Sequence, residues 1–118
     1  MDKDNALFEA ATNTIFEGLP INNTRVFLEM DYRNDVQFAV GLIGHAINIA
    51  EAKEYFIVLN EREEWNKIYI DLTEILNQSG FNQYQVTMTA VIPFENGDFV
   101  QDEGNLYFDN MKIVHFEQ

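Results

Sequence analysis

The sequence predicts an all-β domain, an antiparallel β-sandwich of jelly-roll or related Greek-key type. Three observations carry this. Apolar and polar residues alternate with a period of two along most of the chain, as half-buried strands require. Clusters of Asn, Asp, Gly and Pro punctuate the runs, as turns require. No long helical pattern alternates with the strands, which argues against a βαβ fold. At 118 residues the chain has one domain's length, so residues 1–118 are read as one unit, with residues 1–20 the least regular part. An α+β fold with a short helix in Gly44 to Lys53 is the runner-up.

The elements follow in order. Ala6 to Ala11 and Thr14 to Glu17 read as short strands before a Gly18-Leu19-Pro20 turn. In Arg25 to Tyr32, Val26, Leu28, Met30 and Tyr32 share one face, and Phe27, Glu29 and Asp31 the other. Arg33-Asn34-Asp35 is a turn cluster. Val36 to Ile43 alternates again, with Val36, Phe38, Val40 and Leu42 inward, so the two runs are expected to pair as a hairpin. Ala46, Ile49, Ala50 and Lys53 have helical spacing. Tyr55 to Leu59 is apolar on both faces, as in a central strand covered on each side. In Trp65 to Leu72, Ile68, Ile70 and Leu72 oppose Trp65, Lys67, Tyr69 and Asp71. Thr73 to Gln78 suits one helical turn capped by Asp71 or Thr73 and ended by Ser79-Gly80. Gln83 to Ile92 is the longest alternating run, with Tyr84, Val86, Met88, Ala90 and Ile92 inward, and Pro93 stops it. Glu95 to Gly104 is an acidic loop before a closing strand, Leu106 to Phe116.

Strict alternation in that last strand would send Asn110 and Lys112 into the core. A β-bulge at Asp109-Asn110 slips the register by one and turns Leu106, Phe108, Met111 and Ile113 inward. It also lets the Asp109 carboxylate accept nearby backbone N–H groups. Asp109 and Asn110 are therefore read as structural.

Composition narrows the function. Hydrophobic types make up 47% and aromatics 14%, enough for a packed core and too much for a disordered chain. Cysteine is absent, so there is no disulfide, thiolate metal site or thiol nucleophile. Seven Lys+Arg against twenty Asp+Glu give a net charge of −13, which repels nucleic-acid phosphates and anionic membranes. No apolar stretch approaches the roughly 18–20 residues of a membrane helix. Met1 to Asn5 lacks the apolar core of a signal peptide. Either the protein is cytoplasmic or its export signal has been removed. Asn22-Asn23-Thr24 and Asn77-Gln78-Ser79 match the glycosylation tripeptide, as chance allows in so Asn-rich a chain.

Trp65-Asn66-Lys67-Ile68-Tyr69-Ile70-Asp71-Leu72-Thr73, followed by Leu106-Tyr107-Phe108-Asp109-Asn110-Met111-Lys112-Ile113-Val114, resembles galactose-binding-like jelly-roll domains. Leu28 to Tyr32 and Phe38 to Leu42 look like the paired strands that precede these segments there. The resemblance covers about Arg25 to Phe116 and rests on structural motifs. Such domains recur as carbohydrate-binding modules and in surface lipoproteins of glycan-foraging gut bacteria. The resemblance therefore implies a non-catalytic carbohydrate-binding-like module of a bacterial cell-surface or periplasmic protein. The chain is short for the family, which leaves room for an edge strand to be missing or rearranged.

Candidate binding residues follow from outward parity. Ala39, Gly41, Thr87 and Thr89 are small, Gln37 and Gln85 offer amides, and Trp65, Tyr69 and Tyr107 are aromatic. If these strands share one sheet, they form a shallow trough. Sugars present C–H faces ringed by hydroxyls, which aromatic platforms, amides and carboxylates recognise. The carbohydrate set is Trp65, Tyr69, Gln37, Gln85, Asp71 and Tyr107, with Glu29 as a further carboxylate. The ordinary reading of the same aromatics is cover for a sheet end, a neighbouring domain or a second copy. A second candidate site lies where loops converge, drawing on Arg33-Asn34-Asp35, His45, Glu61 to Glu64 and Asp98 to Glu103. Glu95, Asp98, Asp102 and Glu103 are hard oxygen donors that could hold a structural calcium, although a solvated loop is the commoner use of such a cluster. No other cofactor is expected.

Catalysis is not expected. Ser79 is the only serine and lacks a nucleophile-elbow sequence. His45 and His115 are far apart in sequence and suit structural roles. Two histidines without cysteine make a poor zinc set. Gly41-Leu42-Ile43-Gly44 is an incomplete phosphate loop.

Overall fold

Alternation along the chain builds two antiparallel sheets whose apolar faces meet. The computed structural model describes residues 1–12, 15–17, 24–46, 49–78 and 81–117, without the side chains of 17, 24, 49, 77, 78 and 115–117. One sheet runs β1 (Leu7–Ala11), β7 (Gln83–Val91), β4 (Phe38–Ala46) and β5 (Ile49–Leu59), with β2 (Phe16–Glu17) also paired to β7. The other runs β10 (Leu106–Glu117), β3 (Thr24–Asn34) and β6 (Arg62–Asp71). A short hairpin, β8 (Phe94–Glu95) with β9 (Asp98–Phe99), and one helix, α1 (Thr73–Gln78), complete the described elements. The protein is thus all-β, and the α+β alternative is set aside.

The inward residues of β3, β4 and β7 form a single core. Val26, Leu28, Met30 and Tyr32 cluster with Phe38, Val40 and Leu42 and with Tyr84, Val86, Met88 and Ala90, all buried. Burying such side chains stabilises by roughly 1.5–3 kcal/mol each before entropy is counted. Ile70 and Leu72 join from β6 and its end, and Leu76 joins from α1.

Four expectations need correction. First, β3 and β4 do not form a hairpin; they lie in different sheets. The strand runs on through Arg33 to Asn34, whose buried amide donates to the carbonyls of Val36 and Asn60 at 2.8 and 3.1 Å. Its oxygen accepts from the Arg62 N–H at 3.1 Å. Asn34 thereby satisfies the backbone groups freed where the chain crosses between sheets. Second, β5 is an edge strand, not a central one. A bulge opposite Val40/Gly41 turns Phe56, as well as Ile57, toward the core, which explains the two-sided apolar run. Third, the described residues of the Gly44 to Lys53 segment, 44–46 and 49–53, are strand and not helix. Gly44 pairs with Ala52, Ile43 with Lys53 and Leu42 with Glu54, so strand pairing overrides the helical spacing. Fourth, the acidic loop contains β8 and β9, joined by Asn96 (φ 53) and Gly97 (φ 84), a two-residue turn with both φ positive.

The closing strand slips register between Asp109 and Lys112. Asn110 adopts φ 52, its N–H donates to Asp109 Oδ1 at 2.8 Å, and Met111 and Ile113 pack against the core. Asp71 Oδ1 accepts from the Thr73 N–H at 2.9 Å and so caps α1. The Gly18-Leu19-Pro20 turn and the Ser79-Gly80 helix end lie outside the described residues, and both glycosylation tripeptides lie partly outside them. Among the described residues, no helix is long and apolar enough to cross a membrane.

Candidate functional site

The outer face of the three-stranded sheet carries exposed Trp65, Tyr69 and Tyr107 among charged side chains. Its centre is the outward parity of β3: Arg33, Asp31, Glu29, Phe27 and Arg25. Cross-strand register sets Tyr107, Asp109, Lys112 and Val114 on one side, and Lys67, Tyr69 and Asp71 on the other.

At the top, a register shift between Tyr32 and Asn34 places Arg33 between two rings. Its guanidinium carbon lies 4.4 Å from the Tyr107 ring centre and 5.8 Å from that of Trp65. Both distances are within cation–π range. Trp65 nevertheless remains 52% exposed.

One row down, Asp31 accepts a hydrogen bond from the Asn110 amide at 2.8 Å. The bulge thus does more than restore register, because it aims Asn110 across the outer face. Asp31, Asp109, Lys67, Asn66 and Trp65 line an open depression of about 440 Å³.

The next row is occupied by its own ion network. Glu29 is buried although it lies on the outer face. It accepts from Lys67 Nζ at 3.1 Å and the Tyr69 hydroxyl at 3.2 Å, and faces Lys112 Nζ at 3.5 Å. The Lys67 hydrogen bond holds the Glu29 carboxyl below its ordinary pKa against the cost of burial, helped by both lysine charges and Tyr69. The same hydrogen bond raises Lys67. At the bottom, Asp71 meets Arg25 at 2.7 Å and is held low by Thr73 first, with Arg25 adding to it.

A second depression, of about 270 Å³, opens on the other side of the Arg33 stack. It is lined by Arg33, Asn34, Asp35, Arg62, Glu63, Asn105 and Tyr107. The Asp35 carboxylate is already engaged by the Asn105 N–H at 2.7 Å and its amide at 2.9 Å.

The six expected carbohydrate residues therefore divide between two faces. Trp65, Tyr69, Asp71 and Tyr107 share the three-stranded face. Gln37 and Gln85 belong to the other sheet, where Gln37 donates to Asn60 at 2.7 Å, and Gln85 donates to the Thr12 carbonyl and meets His45, both at 2.8 Å. Thr87 and Thr89, expected in the same trough, donate to the Ala10 and Phe8 carbonyls of β1. The condition for a single trough, one shared sheet, is not met. Tyr69 and Asp71 are held by Glu29 and Arg25, so Trp65 and Tyr107 remain as the aromatic edges of the open surface. Asp31, Asn66 and Lys67 had no place in the expected set. The outward parity of Asp31 and Lys67 is legible, but which strands flank them is not; Asn66 has the inward parity of Ile68, and its amide donates to the Tyr32 hydroxyl at 3.3 Å.

The loop candidates also separate. Arg33, Asp35, Arg62 and Glu63 share one end, where Gln101 reaches Asp35 at 3.2 Å. His45 lies toward the far end of β4 and contacts Gln85 and Glu51. Asp102 pairs with Lys3 at 2.9 Å, and Asp98 accepts from the Phe99 N–H at 2.8 Å. Asp98, Asp102 and Glu103 do not converge, and among the described residues no three such ligands gather around a common point. Ser79 and the His115 side chain lie outside the described residues.

No protein-family model, curated protein or solved structure matches the chain.

Proposed function

We propose that this chain is a non-catalytic carbohydrate-binding-like module of a bacterial cell-surface protein, built as a jelly roll. The observation that carries the reading is the open depression in which exposed Trp65 stands beside Asp31, Asp109, Asn66 and Lys67. An indole face offers stacking to sugar C–H groups, and carboxylates, amide and ammonium offer hydrogen bonds to the surrounding hydroxyls. Its volume falls in the roughly 300–1,000 Å³ range of ligand sites, and its openness suits a glycan chain that extends past it. The jelly-roll reading is supported by the path of the chain. It changes sheet from β3 to β4, β5 to β6, β6 to β7 and β7 to β10, and stays within a sheet from β4 to β5. The test is affinity electrophoresis through gels carrying plant and host polysaccharides. At least one polysaccharide should retard the wild type, and Trp65→Ala should lose about tenfold or more in affinity, since aromatic platforms contribute heavily to such contacts. Equal retardation of the two proteins would remove Trp65 from the site.

A second reading, a protein-interaction domain, rests on a different surface. Leu7, Val58 and Val91, each more than half exposed, lie with Ala39 on the outer face of the larger sheet. Exposed apolar patches of this kind are used for association. Light scattering over a concentration series checks whether a second copy covers them.

A further inference from the structure

Arg33 stands apart from its neighbours Lys67, Lys112 and Arg25. Lys67, Lys112 and Arg25 are all paired with carboxylates. The Arg33 side chain makes no ion pair or hydrogen bond among the described residues, although the chain holds twenty Asp and Glu. Its Nε is buried without a partner. The Nε is closed to a ligand oxygen as it is to water, so an acceptor must approach the terminal amino groups of the guanidinium. Two aromatic rings meanwhile hold the guanidinium plane in place, so little side-chain freedom remains to be lost on binding.

We propose that Arg33 reads the carboxylate of an acidic sugar. The inference rests on the glycan reading and deepens it by naming the substrate class. Arg33 and Arg62 line the same depression, which adjoins the Trp65 surface through the Arg33–Trp65 contact. A carboxylate matches the fork of a guanidinium, whereas a neutral hydroxyl leaves the charge uncompensated. Asp35 does not compete, because Asn105 occupies its oxygens. Glu63 lines the depression as an exposed carboxylate and opposes an anion. The net charge of −13 opposes it as well. Beyond about 8 Å, however, physiological salt screens such charges, so the contact at Arg33 decides.

The test compares an oligogalacturonate with its carboxyl-reduced counterpart, a neutral oligomer of the same length, by titration calorimetry in 0.15 M salt. The acidic oligomer should bind about tenfold tighter, as a charge-assisted bidentate contact implies. Arg33→Gln should abolish that preference. Arg33→Lys, which keeps the charge and loses the fork, should retain only part of it, and it serves alone should the glutamine variant unfold. Equal affinity for the two oligomers would overturn the inference and leave the glycan reading standing. A preference that survives Arg33→Gln would place the carboxylate elsewhere and overturn it too. If neither oligomer binds, the inference falls, and the polysaccharide gels decide separately whether the glycan reading falls with it.

Discussion

Glu29 shows how a single residue organises the outer face. Its burial would raise its pKa, but the Lys67 hydrogen bond, the Lys112 charge and the Tyr69 hydroxyl lower it. The sign of the pH effect follows. A carboxyl whose folded pKa lies below its unfolded value contributes stability above the unfolded pKa and loses it as pH falls through the folded one. Asp71 behaves the same way. Glu29→Gln should therefore lower the melting temperature at pH 7 by a few degrees at most, since its partners Lys67 and Lys112 reach solvent and Gln can still accept their hydrogen bonds. The gap to wild type should close as pH falls below about 4, where free carboxylates protonate. Thermal melts from pH 7 to 3 check this, and a gap independent of pH would show that Gln acts through packing instead. Asn110 is the residue whose role was most readable beforehand. Only a bulge keeps Asn110 and Lys112 out of the core, and Asn tolerates the positive φ that the bulge needs. Its reach to Asp31 was not readable, because that contact depends on β3 lying beside β10.

At the level of elements, alternation identified most strands, and the errors came from pairing. Period two tells which side of a strand is apolar but not which sheet it joins. So Arg25 to Tyr32 and Val36 to Ile43 had the correct inward residues and the wrong partnership. The candidate site suffered the same way. Trp65 and Tyr107 are legible as outward aromatics, whereas parity alone does not tell that Gln37 and Gln85 lie on a different face from them. The bulge in β5 hid its edge position by turning Phe56 inward, and Gly41 makes that close pairing feasible. A Cβ at Gly41 would overlap the backbone carbonyl of Glu54, which cannot swing aside as a side chain could. Gly41→Ala should therefore cost about 1–3 kcal/mol, in the range of overpacked sites. A guanidinium melt should show a lower midpoint at unchanged slope. An unchanged midpoint would mean that β5 has room to move off β4.

For the molecule as a whole, a −13 charge and an all-β chain leave few routes to specific binding. Five of the seven Lys and Arg residues, Arg25, Arg33, Arg62, Lys67 and Lys112, lie on strands of the smaller sheet. Charge, aromatic exposure and open depressions therefore coincide on one face. That coincidence could not be read from composition, because it arises only when β10, β3 and β6 stand side by side. Trp65 is the only tryptophan in the chain and lines the proposed surface, so its fluorescence reports on that surface alone. The decisive measurement is a tryptophan emission titration with oligosaccharides of the polysaccharide that retards the protein. A sugar ring that covers the half-exposed indole should give a saturable blue shift with the same midpoint as calorimetric binding. Sugar binding by calorimetry with Trp65 emission unchanged would contradict the proposed surface.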